Sequence, residues 1–126
     1  MPSHISITMM SGPRDGETFR FEPRMIGDQF ILTLGRRENC DICLSYDSQV
    51  SRIHAQIIFD GSRFTLKDLD SRNGTFVKET RVEDQNELAP GMLFRVGRTW
   101  MRLDPLPPDE TQTARPIFDD DSDDLF

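Results

Sequence analysis

The chain has 126 residues, about one domain's worth, with 36% hydrophobic residues, nine Phe and no apolar run near the roughly 20 residues of a membrane span. Its formal charge of −7 is uneven, because residues 104–126 hold eight acids and one base while residues 1–103 hold fourteen of each. A neutral body with an acidic tail lacks the cationic surface that non-specific nucleic-acid binding requires, so neither nucleic acid nor membrane is expected as a partner.

MPSHISITMM at the N-terminus has no positive start, no apolar stretch and no small-residue cleavage site, so cytoplasmic residence is expected. From there short alternating apolar runs recur about every ten residues, with almost no 3.6-residue period. Ile5, Ile7 and Met9 form the first run, Phe19 and Phe21 the second, and Phe30, Leu32 and Leu34 the third. Ile53, Ala55, Ile57 and Phe59 share one face of the next, and Phe64 and Leu66 continue after Asp60-Gly61, where glycine supplies the positive φ of a hairpin. Met92, Phe94 and Val96 close the series, and Gly12-Pro13, Asp15-Gly16, Asn73-Gly74 and Pro90-Gly91 punctuate it. About ten candidate strands over residues 4–103 predict an all-β, two-layer antiparallel β-sandwich. Trp100 and the Phe residues fall at alternating positions and are expected to pack in its core. After Leu103 the segment DPLPPDETQTARPIFDDDSDDLF has four prolines and eight acids, too little clustered apolar surface to offset the entropy of ordering. The expected organisation is therefore a sandwich domain over 1–104 and a disordered, Pro-rich acidic tail over 105–126.

Three polar clusters lie beside strands: Gly35-Arg36, Ser51-Arg52-Ile53-His54 and Ser71-Arg72-Asn73-Gly74-Thr75. Loops of a sandwich collect at its two ends, so clusters distant in sequence can meet on one rim. None of the three contains an acid. Several arginine forks beside a hydroxyl and exposed backbone N–H groups suit a phosphate dianion, because guanidinium matches phosphate oxygens bidentately.

The order GR, SRIH, SRNGT, joined by CDICLSYDSQV and followed by ELAPGMLFRVG, resembles the forkhead-associated (FHA) domain over roughly residues 5–103. The resemblance implies an eleven-stranded sandwich that recognises phosphothreonine in an extended peptide of a partner protein, with threonine preferred over serine and no catalysis. It assigns phosphopeptide contact to Arg36, Ser51, Arg52 and Asn73, with Arg72 in a more variable contact position. Gly35, His54, Gly74 and Thr75 become supports of the binding loops, His54 bracing the loop that presents Ser51. Gln49 falls where the family tunes selectivity three residues after the phosphothreonine. The chain departs from the family at Lys78-Glu79, where many members carry a second Asn-Gly turn.

Competing chemistry is weaker. Ser51 and His54 lack an orienting acid and, three apart on a strand, would point to opposite faces. Cys40 and Cys43 form a CxxC, but with only His4 and His54 as further soft ligands and no βαβ pattern they are expected as reduced thiols, with no metal and no cofactor. Arg37 is expected to be solvated. In the tail, Ile117, Phe118, Leu125 and Phe126 frame the acids, and Thr111 and Thr113 follow Asp109 and Glu110 as kinase targets. The expected partners are a threonine-phosphorylated protein or peptide, a Ser/Thr kinase, and the chain's own tail in cis or trans. The alternative is an FHA-like scaffold with an inactive pocket whose acidic tail engages a basic partner.

Overall fold

Strands that alternate apolar and polar residues can bury only one face, so each must find a second sheet to cover it. The computed structural model, which describes residues 4–106, resolves that demand with eleven strands and, among those residues, no helix. They are β1 (His4–Met9), β2 (Thr18–Phe21), β3 (Phe30–Gly35), β4 (Ile42–Cys43), β5 (Ala55–Phe59), β6 (Phe64–Asp68), β7 (Thr75–Val77), β8 (Thr80–Arg81), β9 (Gln85–Glu87), β10 (Leu93–Val96) and β11 (Thr99–Leu106). One sheet runs β2-β1-β11-β10-β7-β8 and the other β4-β3-β5-β6-β9. Every pairing is antiparallel except β3 with β4. The tail expected beyond the sandwich lies outside the described residues from position 107 onward.

Ile5, Ile7 and Met9 from one sheet pack with Leu32, Leu34, Ala55, Ile57, Phe59 and Leu66 from the other, all but fully buried. The rings of Phe59 and Phe64 stack with centroids 4.5 Å apart. Two expectations for side chains are corrected. Ile53 does not continue the buried face of Ala55, Ile57 and Phe59; it lies before β5 and is 40% exposed. Trp100 and Phe76 are half-buried on the outer face of their sheet, because it is Thr99, Met101 and Leu103 in β11, and Thr75 and Val77 in β7, that point inward. There the Arg95 guanidinium lies 4.1 Å from the Phe76 ring centroid and 5.6 Å from that of Trp100, its neighbours across the ladder.

The turns follow local chemistry. Asp60 closes a four-residue loop by accepting the N–H groups of Ser62 and Arg63 at 2.9 and 2.7 Å, with Gly61 at φ 100°. At the departure noted above, β7 and β8 still form a hairpin over Lys78-Glu79, and Lys78 itself takes the positive φ of 56° that such turns usually give to Asn or Gly.

Candidate functional site

The register brings three loops to one end of the molecule. Leu34 pairs with Ala55, and Ala55 with Asp68, so the end of β3, the start of β5 and the end of β6 lie side by side. The Gly35-Arg36, Ser51–His54 and Ser71–Thr75 clusters all issue from that edge. Hydrogen bonds then carry the ladder outward: His54 N–H donates to Leu34 O at 2.8 Å, Arg36 N–H to Ser51 O at 3.1 Å, and Arg37 N–H to Arg52 O at 3.2 Å. The approach is so close that any side chain at Gly35 would overlap the Arg52 carbonyl oxygen.

His54 joins two of the loops from beneath. It is fully buried, its Nδ1 accepts the Ser51 N–H at 3.0 Å, and its Nε2–H donates to Gly74 O at 2.9 Å. That pattern sets the neutral tautomer, and burial pushes the imidazole below its usual pKa against the pull of the Gly74 carbonyl. The imidazole is thus committed to the backbone of Ser51 and does not address its hydroxyl. Ser51 Oγ instead accepts the Arg72 N–H at 3.1 Å, which leaves its own hydrogen free to donate. Residues 51–54 are loop, so this bonding, rather than strand geometry, separates the two side chains.

Asp68, at the end of β6, organises the third loop. Its carboxylate accepts the hydroxyls of Ser71 and Thr75, each at 2.6 Å, and the Ser71 N–H at 3.2 Å, while Ser71 Oγ accepts the Gly74 N–H at 3.0 Å. Burial alone would raise this carboxyl, but the donors from Ser71 and Thr75 together hold it below its usual range. Gly74 adopts φ 93°, a conformation a side chain would strain. Asp47 does similar work for the second loop. Buried, it accepts Gln49 N–H at 2.9 Å and reaches the β10–β11 turn through Arg98 N–H at 2.8 Å and Thr99 Oγ1 at 2.7 Å.

Above this scaffold lies a cleft of about 390 Å³ lined by Arg36, Ser48–Ile53, Arg72 and Asn73. The structure thus brings Arg36, Ser51, Arg52, Arg72 and Asn73 to one cleft, and buries Gly35, His54, Gly74 and Thr75 in the loops that form it. Arg36, Arg52 and Arg72 are exposed, no acid lines the cleft, and none of the three belongs to a salt bridge among the described residues. Arg36 is nonetheless aimed, since its Nε donates to Val50 O at 2.5 Å. Asn73 Nδ2 donates to Gln49 O at 2.8 Å, tying the third loop to the second. The sequence reading missed Asp68 and Asp47 and gave Ser71 no role of its own; Asp68-x-x-Ser71 is a turn-closing pattern that marks the first of these.

The thiols serve the same loops. Cys40 Sγ and Cys43 Sγ lie 3.6 Å from the carbonyl oxygens of Arg52 and Arg36, and burial pushes the Cys40 thiol up. Among the described residues no group of three or more His, Cys, Asp or Glu side chains is placed to hold a metal ion, and no helix is long and apolar enough to cross a membrane.

A two-sheet sandwich that gathers three arginine-bearing loops at one end is a fold that comparison with known proteins identifies. The family model of the FHA domain matches residues 32–97, over half of the chain, and the chain belongs to that family. The glycogen accumulation regulator GarA of Mycobacterium tuberculosis is 33% identical over 97 residues, covering 77% of this chain and 55% of GarA. The chain thus spans little more than half the length of that relative. An FHA domain solved in a structural and functional analysis of phosphothreonine-dependent FHA domain interactions is 28% identical, with a TM-score of 0.68 over 82% of this chain and 98% of that one. The FHA domain of the CT664 protein from Chlamydia trachomatis superposes with a TM-score of 0.69 at 26% identity, over 81% and 97% of the two chains.

Proposed function

We propose that this chain is a phosphothreonine-dependent protein–protein interaction module that binds threonine-phosphorylated partners in Ser/Thr kinase signalling through the loop cleft. One observation carries the reading: three guanidiniums without a salt-bridge partner and the Ser51 hydroxyl, delivered by three separate loops, line a cleft that among the described residues contains no acid. A phosphothreonine brings about −1.5 to −2 charges and three strong acceptor oxygens. Arg36 and Ser51 are the pair best placed to take those oxygens, with Arg52 as a further donor and Asn73 holding the peptide backbone beside the phosphothreonine. Charge-assisted bonds of this kind are worth about 1.5–3 kcal/mol each, so losing two or three of them on dephosphorylation releases the peptide. The relation to an FHA domain solved for its phosphothreonine-dependent interactions supports the same reading.

The test is titration of the full-length protein, at fixed salt, against a degenerate phosphothreonine peptide library and its unphosphorylated counterpart. Binding confined to the phosphorylated library is expected. Equal binding of both, or of neither, would overturn it.

A further inference from the structure

Phosphate recognition does not use all the charge that the cleft presents. Arg36, Arg52 and Arg72 supply three positive charges, and a single phosphothreonine supplies at most about two negative ones. Outside the cleft three arginines are paired with acids: Arg14 with Glu17 at 3.3 Å, Arg63 with Glu87 at 3.9 Å, and Arg102 with Asp104 at 2.8 Å. Among the described residues the cleft has no such acid, so about one cation is left for the ligand to neutralise.

The bonding pattern sets Arg36 apart from Arg52 and Arg72, whose side chains are both exposed and without a hydrogen bond or ion pair among the described residues. Arg36 is tethered through Nε to Val50 O and lies one ladder bond from Ser51, so it belongs to the phosphate itself. Of Arg52 and Arg72, it is Arg72 whose main-chain N–H sits on Ser51 Oγ, while among the described residues no hydrogen bond or ion pair holds its exposed side chain. Its backbone therefore stands beside the phosphate position, and its long side chain is free to swing along the peptide. An extended peptide advances about 3.3 Å per residue, so neighbours up to two positions away lie within the reach of an arginine.

We infer that Arg72 makes the cleft select phosphothreonines that have an acidic side chain within two residues, a preference that rests on the phosphothreonine reading above. An acidic neighbour pairs with the remaining guanidinium, and a basic neighbour meets three arginines with only the phosphate to offset them. The pair is exposed, so the gain is modest: about three- to fivefold in affinity at low ionic strength, shrinking as salt is added.

The test uses the full-length protein and ten-residue synthetic peptides with one central phosphothreonine in an alanine background, carrying Asp, Asn or Lys at the two positions on either side. The readout is the ratio of Kd values between flanks, by fluorescence polarisation. In the wild type the Asp-flanked peptide is expected to bind three- to fivefold tighter than the Asn-flanked one, and the Lys-flanked peptide weakest. Arg72→Gln, which weakens binding in general, should bring the Asp-to-Asn ratio close to one, and Arg72→Glu should invert it; Arg63→Gln, outside the cleft, should leave it unchanged. A wild-type ratio within 1.5-fold of one, with phosphopeptides still bound, overturns this inference and leaves the phosphothreonine reading standing. A preference that survives Arg72→Gln overturns the assignment to Arg72. Failure of every phosphopeptide to bind refutes the phosphothreonine reading and this inference with it.

Discussion

Two sets of arginines in this molecule differ in what surrounds them, and the difference separates recognition from stability. On the outer face of the six-stranded sheet, Arg95 lies against Phe76 and Trp100 and donates through Nη1 to Gly97 O at 2.6 Å, while Arg102 is matched by Asp104. Those cations are already satisfied by the fold. In the cleft, Arg36, Arg52 and Arg72 are exposed with no carboxylate among the described residues beside them, held together by loops that spend their own polar groups on one another. Like charges gathered without a counterion repel, so the arrangement persists only because buried polar braces hold the loops from behind.

The largest expected effect therefore comes from a brace rather than from a contact residue. His54→Ala removes a fully buried side chain and orphans both the Ser51 N–H and the Gly74 carbonyl, at a cost of about 3 kcal/mol of folding stability. Urea unfolding measures this, and a loss under about 1 kcal/mol would show that the two loops are positioned independently of the imidazole. Next comes Arg36→Ala, which should weaken phosphopeptide binding by about 2 kcal/mol, close to thirtyfold in Kd, with little change in the urea midpoint. Binding within twofold of wild type would remove Arg36 from the site.

How far each of these features could be read from sequence depends on whether its signal is local. The alternation in Ile5–Met9 and Ala55–Phe59 is local, and it yields strands and their buried faces directly. β4, β8 and β9 have two or three residues each, too few to show a period, and Gln85-Asn86-Glu87 carries no apolar residue at all. Trp100 misled because hydrophobicity alone does not say which face of a strand is inward; Arg95, across the ladder, is what makes the outer face hospitable to an aromatic ring. Ile53 misled because the two-residue period of β5 extrapolates backward past the point where the chain has already left the sheet. The cleft residues were legible through the order of three motifs, whereas Asp47 and Asp68 look like ordinary loop acids until the folded chain delivers Thr99, Ser71 and Thr75 to them.

Arg95→Ala separates the two sets of arginines by experiment. Stacking of this kind contributes about 0.5–1 kcal/mol at partly exposed sites, so the variant should lose about 1 kcal/mol of stability and bind phosphopeptide within twofold of wild type. A binding defect without a stability defect would mean that the outer face takes part in recognition and that its arginines do not serve stability alone.

The smallest effect concerns pH, and its sign follows from His54. Its pKa in the folded chain is lowered by burial, while in the unfolded chain it titrates near the ordinary value of about 6.5. As pH falls below that value the unfolded state takes up the proton first, so stability present at neutral pH is lost as pH drops from about 6.5 toward the folded-state pKa. Asp68 adds a loss of the same sign at lower pH, because its folded carboxyl is held down by Ser71 and Thr75 and the unfolded one, near 3.9, protonates before it. Urea midpoints of the unliganded protein at pH 7.5 and 5.5 isolate the histidine part, since the carboxyl is ionised throughout that window. The wild type should lose stability between the two pH values and His54→Gln should lose less; equal losses would show that the proton is not taken up at His54. Phosphopeptide affinity should fall over the same window for a second reason, because the phosphate monoester itself gains a proton near pH 6 and offers the cleft arginines less charge.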